Sequence, residues 1–508
     1  MNRWRIAGLL LLAAFAVWLT LRGCKPEEPA PQVPPPTAPQ VRDKFHASRP
    51  LQVVAIAAPS SDPARPAADF AWLERELRHL LIRGRMQVAP IGPEARPSYT
   101  LRVEMHSAPA TSATLELATP DGVVERERNI ELGRDEFEIL RSLAAALPEF
   151  LGAAHAQGDW VALLGTTDAD AYRAYLASAN ELLGADGRGF TQPASATSSA
   201  SVDRLEALTR NQPRFARALS LLSVAYLGLG GEDEGSLTNL AEATAERALA
   251  LDPSLTNAQS ALGLVSLRRG EWATAQDHFQ TALQSDPNAP AAVEGLACLL
   301  MDVGHATAAL PIAQRAVILQ PHSVGANECL AYAQLATGTV EADGVRSTAL
   351  DVAVVHALDA VLSGQIADAQ QILRTAENSR NSSAWVEPLL RAVANRRETP
   401  RALQAITRAA NDGLIDPVTE LVCGAALRQS DFVFNRMLRL DKQNEAVPLR
   451  ILWLPKTAFL RRHDGFETIV SAAGLLPFWQ DHGLPDICKS EPAVYGCRLK
   501  PQKVRKEE

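Results

Sequence analysis

The chain has 508 residues, 47% hydrophobic and 5% aromatic, with a formal net charge of −8. That length fills two or three domains. Charges of both signs are dispersed, and no basic stripe with interleaved aromatics occurs, which argues against a nucleic-acid partner.

Arg3 and Arg5 precede an uncharged apolar run from Ile6 to Leu21. At the helical rise this run spans about 24 Å, against ~30 Å of hydrocarbon. With Trp4 and snorkelling arginines it can cross a membrane, and it can equally form the core of a signal peptide. The positive flank favours an N-terminus inside and the bulk of the chain translocated. Leu21-Arg22-Gly23-Cys24 resembles a lipobox, from which Arg22 departs. Residues 1–24 therefore read as a signal anchor or as a lipoprotein signal lipidated at Cys24. Residues 25–48 carry the prolines from Pro26 to Pro39. They read as an extended linker, of which a stretch of ~17 residues reaches on the order of 50 Å at ~3.1 Å per residue.

The pattern changes over residues 49–158. Residues 51–58 read as a buried strand, and Trp72, Leu73, Leu77 and Leu80 fall on one helix face. Residues 85–91 read as a further strand. Residues 99–105, 112–118 and 123–132 alternate apolar and polar, as a half-buried antiparallel sheet does. Pro120-Asp121-Gly122 marks a hairpin turn. A helix over about 136–154 closes the unit, a β-α-β-β-β-α domain to which 85–91 adds the further strand.

A helix over 168–183 opens the next region, 159–450. Asp168 and Asp170 lack the glycine and distal glutamate of a calcium loop, so helix capping is the reading. Residues 184–201 read as a flexible loop. Gly184, Gly187 and Gly189 suggest no phosphate cradle, because neither a feeding strand nor Gly-Lys-Ser/Thr accompanies them.

Pro253, Pro287 and Pro321 then recur at an even spacing of 34 residues. Within 254–287, one helical run ends at Gly270 and a second runs from Trp272 to Leu283, with Ala275, Phe279 and Ala282 on one face. Leu296, Ala297, Gly304, Ala309 and Ala316 repeat this plan 34 residues on. Leu222, Tyr226, Gly230, Ala241 and Ala248 fit it upstream if residues 231–236 are looped out. These positions resemble the tetratricopeptide (TPR) consensus, which implies an all-α solenoid of helix pairs. Past Pro321 the repeat degenerates: one first helix keeps register to Gly338, 339–349 is irregular, and the pattern restarts in 350–378. Helices follow at about 384–396 and 401–411, and 417–440 adds another pair.

Residues 451–497 carry Trp453, Phe459, Phe466, Phe478 and Trp479, an aromatic cap for the exposed end of the last helix pair. Residues 498–508 form a basic, solvated tail. The phrases Tyr99-Thr-Leu-Arg-Val-Glu and Ala113 to Val124, with the Trp453, Pro455, Phe478-Trp479 and Cys488 pattern, resemble bacterial proteins in which a TolB-like domain precedes a TPR array. The fold class expected is α+β, with an N-terminal membrane segment, a small α/β domain, an all-α TPR solenoid and an aromatic C-terminal cap.

Cys488 and Cys497 read either as a disulfide loop in an oxidising compartment or as two free thiols. Cys298 and Cys329, on first helices of adjacent repeats, read as small buried hydrophobes. His278, His305 and His322 lack carboxylate or cysteine companions at ligand spacing. No nucleophile, zinc or phosphate-loop motif occurs. The sequence thus gives no catalytic, metal or cofactor residues, and no enzyme is expected.

In TPR proteins the first helices line a concave groove. Asn257, Ser260, Leu264 and Arg268 share one such face, followed by Glu294 and Asp302, then Glu328 and Tyr332. As a partner groove these would suit a basic or polar peptide; otherwise they are solvated helix positions. The expectation is a membrane-tethered periplasmic scaffold binding envelope proteins. The alternative is a sensory subunit whose α/β domain binds a ligand and signals through a membrane partner.

Overall fold

The computed structural model describes residues 51–57, 71–90, 96–106, 112–152, 159–183, 196–229, 234–339, 350–376, 383–443 and 445–499. The apolar N-terminal run, Cys24, the proline linker and residues 500–508 lie outside these. Among the described residues no helix is long and apolar enough to cross a membrane.

The chain is mostly helical, with one small sheet near its start. β1 (Leu51–Ala57) leads to α1 (Ala71–Arg83), β2 (Tyr99–His106), β3 (Ser112–Ala118), β4 (Val124–Glu131) and α2 (Glu136–Leu151). The sheet runs β1-β2-β3-β4, parallel between β1 and β2 and antiparallel elsewhere. Parallel neighbours need a crossover, and α1 supplies it. Alternation along β2 and β3 buries Leu101, Val103, Leu115 and Leu117 on one face. β4 is an edge strand and stays largely exposed.

The strand expected over 85–91 does not form; only Val88 bridges to Leu51. Arg85 takes a φ of 61° on leaving α1, and Pro90 has no N–H with which to extend a ladder. The helix expected to reach residue 154 ends at Leu151, where Gly152 turns with a φ of 62°.

The helices that follow are α3 (Ala169–Leu182), α4 (Ala196–Asn211), α5 (Ala216–Leu229), α6 (Glu234–Leu251), α7 (Thr256–Arg268), α8 (Trp272–Ser285), α9 (Pro290–Asp302), α10 (Ala306–Leu319) and α11 (Val324–Thr337). Beyond them lie α12 (Leu350–Leu362), α13 (Ile366–Ala376), α14 (Ser383–Ala394), α15 (Thr399–Asn411), α16 (Pro417–Ala426) and α17 (Ser430–Lys442). Asp168 caps α3 by accepting from the amides of Asp170 and Ala171. Two expected loops are partly helical: residues 196–201 belong to α4, and residues 234–236 open α6. Residues 184–195 and 230–233 lie outside the described residues.

The 34-residue period appears as alternating helix and turn. Gly270 and Gly304 end α7 and α9 with φ of 70° and 85°, a conformation that favours glycine. α5, α7, α9 and α11 pack side by side, and α6, α8 and α10 back the first three of them. Phe279 of α8 wedges between α7 and α9. A Cβ at Gly263 or Gly295 would come within 2.6 or 2.4 Å of its ring.

This side-by-side packing corrects the reading of two cysteines. Cys298 on α9 and Cys329 on α11 are buried, but as a disulfide, their Cα atoms 5.4 Å apart. Adjacent first helices bring the pair within bonding reach. Cys488 and Cys497 form a second disulfide, and Cys423 is a buried free thiol.

After α17 the chain runs through three short 3-10 turns from Arg450 to Arg462, then α18 (Asp464–Ala472) and α19 (Leu475–His482). Trp453, Phe466, Phe478 and Trp479 are buried. Phe466 and Trp479 meet Trp453 edge to face. The segment covers α17, as Gly465 lies against the Phe434 ring. It is more than an end cap, because it also folds back onto turns in the middle of the array.

Candidate functional site

The residues expected to line one open groove are divided among three environments. Asn257, at the start of α7, borders a cavity shared with α1. Ser260 is fully buried, and its hydroxyl donates to the Thr256 carbonyl. Leu264 packs against the core. Glu294 is buried and accepts from Ser323 Oγ at 2.7 Å, the side chain that caps α11. Arg268, Asp302, Glu328 and Tyr332 share a second, larger cleft. One face of the array therefore meets the α/β domain at one end of its helices and the C-terminal segment at the other.

The α/β domain is seated by a buried polar cluster. Glu76 on α1 accepts from Tyr172 Oη and from Arg217 Nη2, both at 2.6 Å. Arg217 on α5 also donates to the hydroxyls of Tyr172 and Tyr175, at 2.9 and 3.0 Å. Its guanidinium carbon lies 4.8 Å from the Tyr175 ring centre. Burial alone would raise the Glu76 carboxyl, yet Arg217, Arg75 and the Tyr172 hydroxyl hold it below the usual range. The pair is therefore ionised and hydrogen-bonded, the condition under which a buried ion pair is tolerated. Arg83 adds an ion pair to Asp252 at 2.9 Å, and Asn288 Nδ2 donates to the Ala89 carbonyl at 2.7 Å.

At the other end the C-terminal segment is held at successive turns of the array. Trp453 and Trp479 donate their indole N–H groups to the carbonyls of Asp302 and Val303, at 2.8 and 2.9 Å. The Asp486 amide donates to the Gly304 carbonyl at 2.9 Å, and Asp486 Oδ2 accepts from the Thr307 amide at 2.8 Å. A Cβ at Gly304 would stand 2.6 Å from Pro485 Cβ, so the missing side chain makes the notch. Trp272 donates to the Ala473 carbonyl at the Gly270 turn, and Lys456 pairs with Asp359 on α12.

Arg450 is the charged anchor of that seat. Its Nε lies 3.0 Å from Asp302 Oδ1, and its Nη1 lies 3.4 Å from Glu328 Oε1. Burial raises the Asp302 carboxyl, and Arg450 opposes that rise. Burial, with the Glu328 charge, pushes the Tyr332 hydroxyl well up. Beside Arg450 a cleft of about 830 Å³ remains. Asp416, Asp441 and Glu445 border it, along with Val418 and Val447. Arg268, which also lines the cleft, donates to the Leu227 carbonyl at 2.8 Å.

Glu76, Arg217, Arg450, Asp416, Asp441 and Glu445 are absent from the set expected from sequence. One signal existed: Arg217 and Arg450 each interrupt an apolar run, and a lone charge in such a run demands a buried partner. His278 and His305 hydrogen-bond to Gln259 and to the Gly483 carbonyl. Among the described residues no three metal-ligating side chains converge.

No known family model matches the chain, and no curated protein matches it. The function rests on the geometry above.

Proposed function

We propose that this protein is a membrane-tethered binding scaffold of the bacterial envelope. Its TPR-type array holds an extended, basic segment of a protein partner in the cleft beside Arg450. The observation that carries this reading is Arg450 itself. An irregular stretch bearing an arginine lies against the array, and carboxylates on two first helices, Asp302 and Glu328, receive it. The vacant part of the cleft continues the same chemistry with Asp416, Asp441 and Glu445. Charge complementarity of this kind selects the partner and fixes its register more than it adds raw affinity.

The positive-φ turns at Gly270, Gly304 and Gly338, 34 residues apart, and the side-by-side first helices support the TPR reading. The β-α-β-β-β-α order supports a TolB-like N-terminal domain. The apolar run at Ile6–Leu21 supports the tether, as signal anchor or lipoprotein. Two disulfides support an oxidising, extracytoplasmic location. The role is one of binding, with no reaction assigned.

The test is in-cell photocrosslinking from a probe at Val418, in full-length protein, beside an Asp441→Lys, Glu445→Lys variant. The reading expects one envelope protein, joined through a segment carrying lysine or arginine, and its loss in the variant. Crosslinking through an acidic segment, or crosslinking that survives charge reversal, contradicts it.

A further inference from the structure

A second cavity, of about 520 Å³, lies between α1 and the starts of the array's helix pairs. Its volume is that of a small-molecule site. Trp72, Ile82, Leu183 and Leu319 supply apolar wall. Arg75, Arg78 and His79 line it from α1, and Asp286 from the turn after α8.

The polar groups here are not all satisfied. Arg75 donates to Asn180 Oδ1 at 2.7 Å. Arg78 Nε and His79 Nε2 are buried without a hydrogen-bond partner. Nearby, Arg315 Nε and Nη2 are in the same condition, and Arg315 and Arg78 both act on the Asp286 charge. Arg217, which also borders the cavity, is neutralised by Glu76. Among the lining residues that leaves Arg75 and Arg78 against Glu74 and Asp286, and Arg315, outside the lining but acting on the Asp286 charge, adds one further positive charge. A guanidinium only donates, so what would satisfy Arg78 is an acceptor. Buried donors left open beside a cavity of this size are the mark of a missing partner.

We infer that this cavity binds a small molecule through an oxyanion, a carboxylate or phosphate, held by Arg78 and His79, with its apolar body against Trp72 and Ile82. Asp286, which lines the same cavity, suits a hydroxyl, amide or amine donor on the same molecule. Because walls come from both the α/β domain and the array, an occupant bridges the two.

The experiment uses full-length protein in detergent, with the histidine side chains isotope-labelled for NMR. Inorganic phosphate and citrate are titrated in separate arms at matched ionic strength, with chloride as the control. The inference expects at least one oxyanion to shift the His79 ring resonance saturably. It also expects loss of that shift in Arg78→Gln and partial recovery in Arg78→Lys, with all three proteins melting as folded species. Phosphate acting alone identifies a phosphate ligand; citrate acting alone identifies a carboxylate. If neither moves His79 beyond chloride, or if Arg78→Gln responds like wild type, the inference is overturned.

Discussion

Arg450→Met is the sharpest perturbation of the C-terminal seat. The Arg450 side chain is 19% exposed, and those of Asp302 and Glu328 are each 10% exposed. Methionine fills much of the volume but removes the guanidinium that the two desolvated carboxylates share. Breaking a fully buried pair on one side costs ~3–5 kcal/mol, and the residual exposure lowers this case to about 2–4 kcal/mol. Asp302 sets the pH dependence. Burial makes its folded carboxyl bind a proton more tightly than the unfolded one, although Arg450 opposes this. A raised carboxyl is least unfavourable to folding in acid, and its cost grows as pH rises through the folded value. Without Arg450 the rise is larger. The penalty of Arg450→Met is therefore greatest near neutral pH and shrinks as pH falls and Asp302 is protonated. The assay is denaturant unfolding followed by tryptophan fluorescence, since Trp453 and Trp479 lie in the same segment. It compares wild type, Arg450→Met, and a triple variant that adds Asp302→Asn and Glu328→Gln. The triple variant is expected to recover part of the loss. An Arg450→Met protein that unfolds like wild type at neutral pH, or that the two added amides weaken further, refutes the reasoning.

Four further predictions concern the seats and staples. Arg217→Met costs about 3–5 kcal/mol by stranding Glu76, and protease sensitivity of the α/β domain rises with it. Because the Glu76 carboxyl is held below the usual range, its contribution is present above that range and is lost as pH falls through the depressed value; pH-dependent melting of wild type and Glu76→Gln measures this. Replacing both Cys298 and Cys329 by serine, separated by 31 residues, costs about 3–4 kcal/mol. Free-thiol labelling of both cysteines in wild-type protein purified without reductant would contradict that pairing. Gly304→Ala drives a Cβ into Pro485 at a positive φ, which releases the C-terminal segment and opens the bond after Arg462 to trypsin.

The array was legible because its signals are local and repeated. Proline and glycine punctuate each unit, and small residues recur where helices touch, so helix ends near Gly270 and Gly304 follow from sequence spacing. The sheet was legible where strands alternate and not at 85–91, where composition resembles a strand but Arg85 and Pro90 prevent a ladder. What the helices face was not legible. Ser260 and Glu294 look like surface positions by period, yet neighbouring helices and the cap of α11 consume them. Asp302 and Glu328 look like an open groove, yet Arg450, well over a hundred residues away in sequence, pairs with both and occupies part of it. Such pairings depend on where distant segments dock, and no local pattern encodes that. The Cys298–Cys329 bond was missed for the same reason, since it depends on the lateral distance between helices of different repeats.

A cleft beside Arg450 that reads positive charge on an extended segment, as proposed, distinguishes peptides by their lysines and arginines. The most direct measurement takes the segment captured from Val418, as a synthetic peptide, and titrates it into full-length protein by calorimetry. A second peptide, with every lysine and arginine changed to glutamine, is titrated beside it. The account predicts that the glutamine peptide binds about tenfold or more weakly, a loss of roughly 1.4 kcal/mol, and that added salt narrows the gap. Equal affinity for the two peptides at low salt would contradict it.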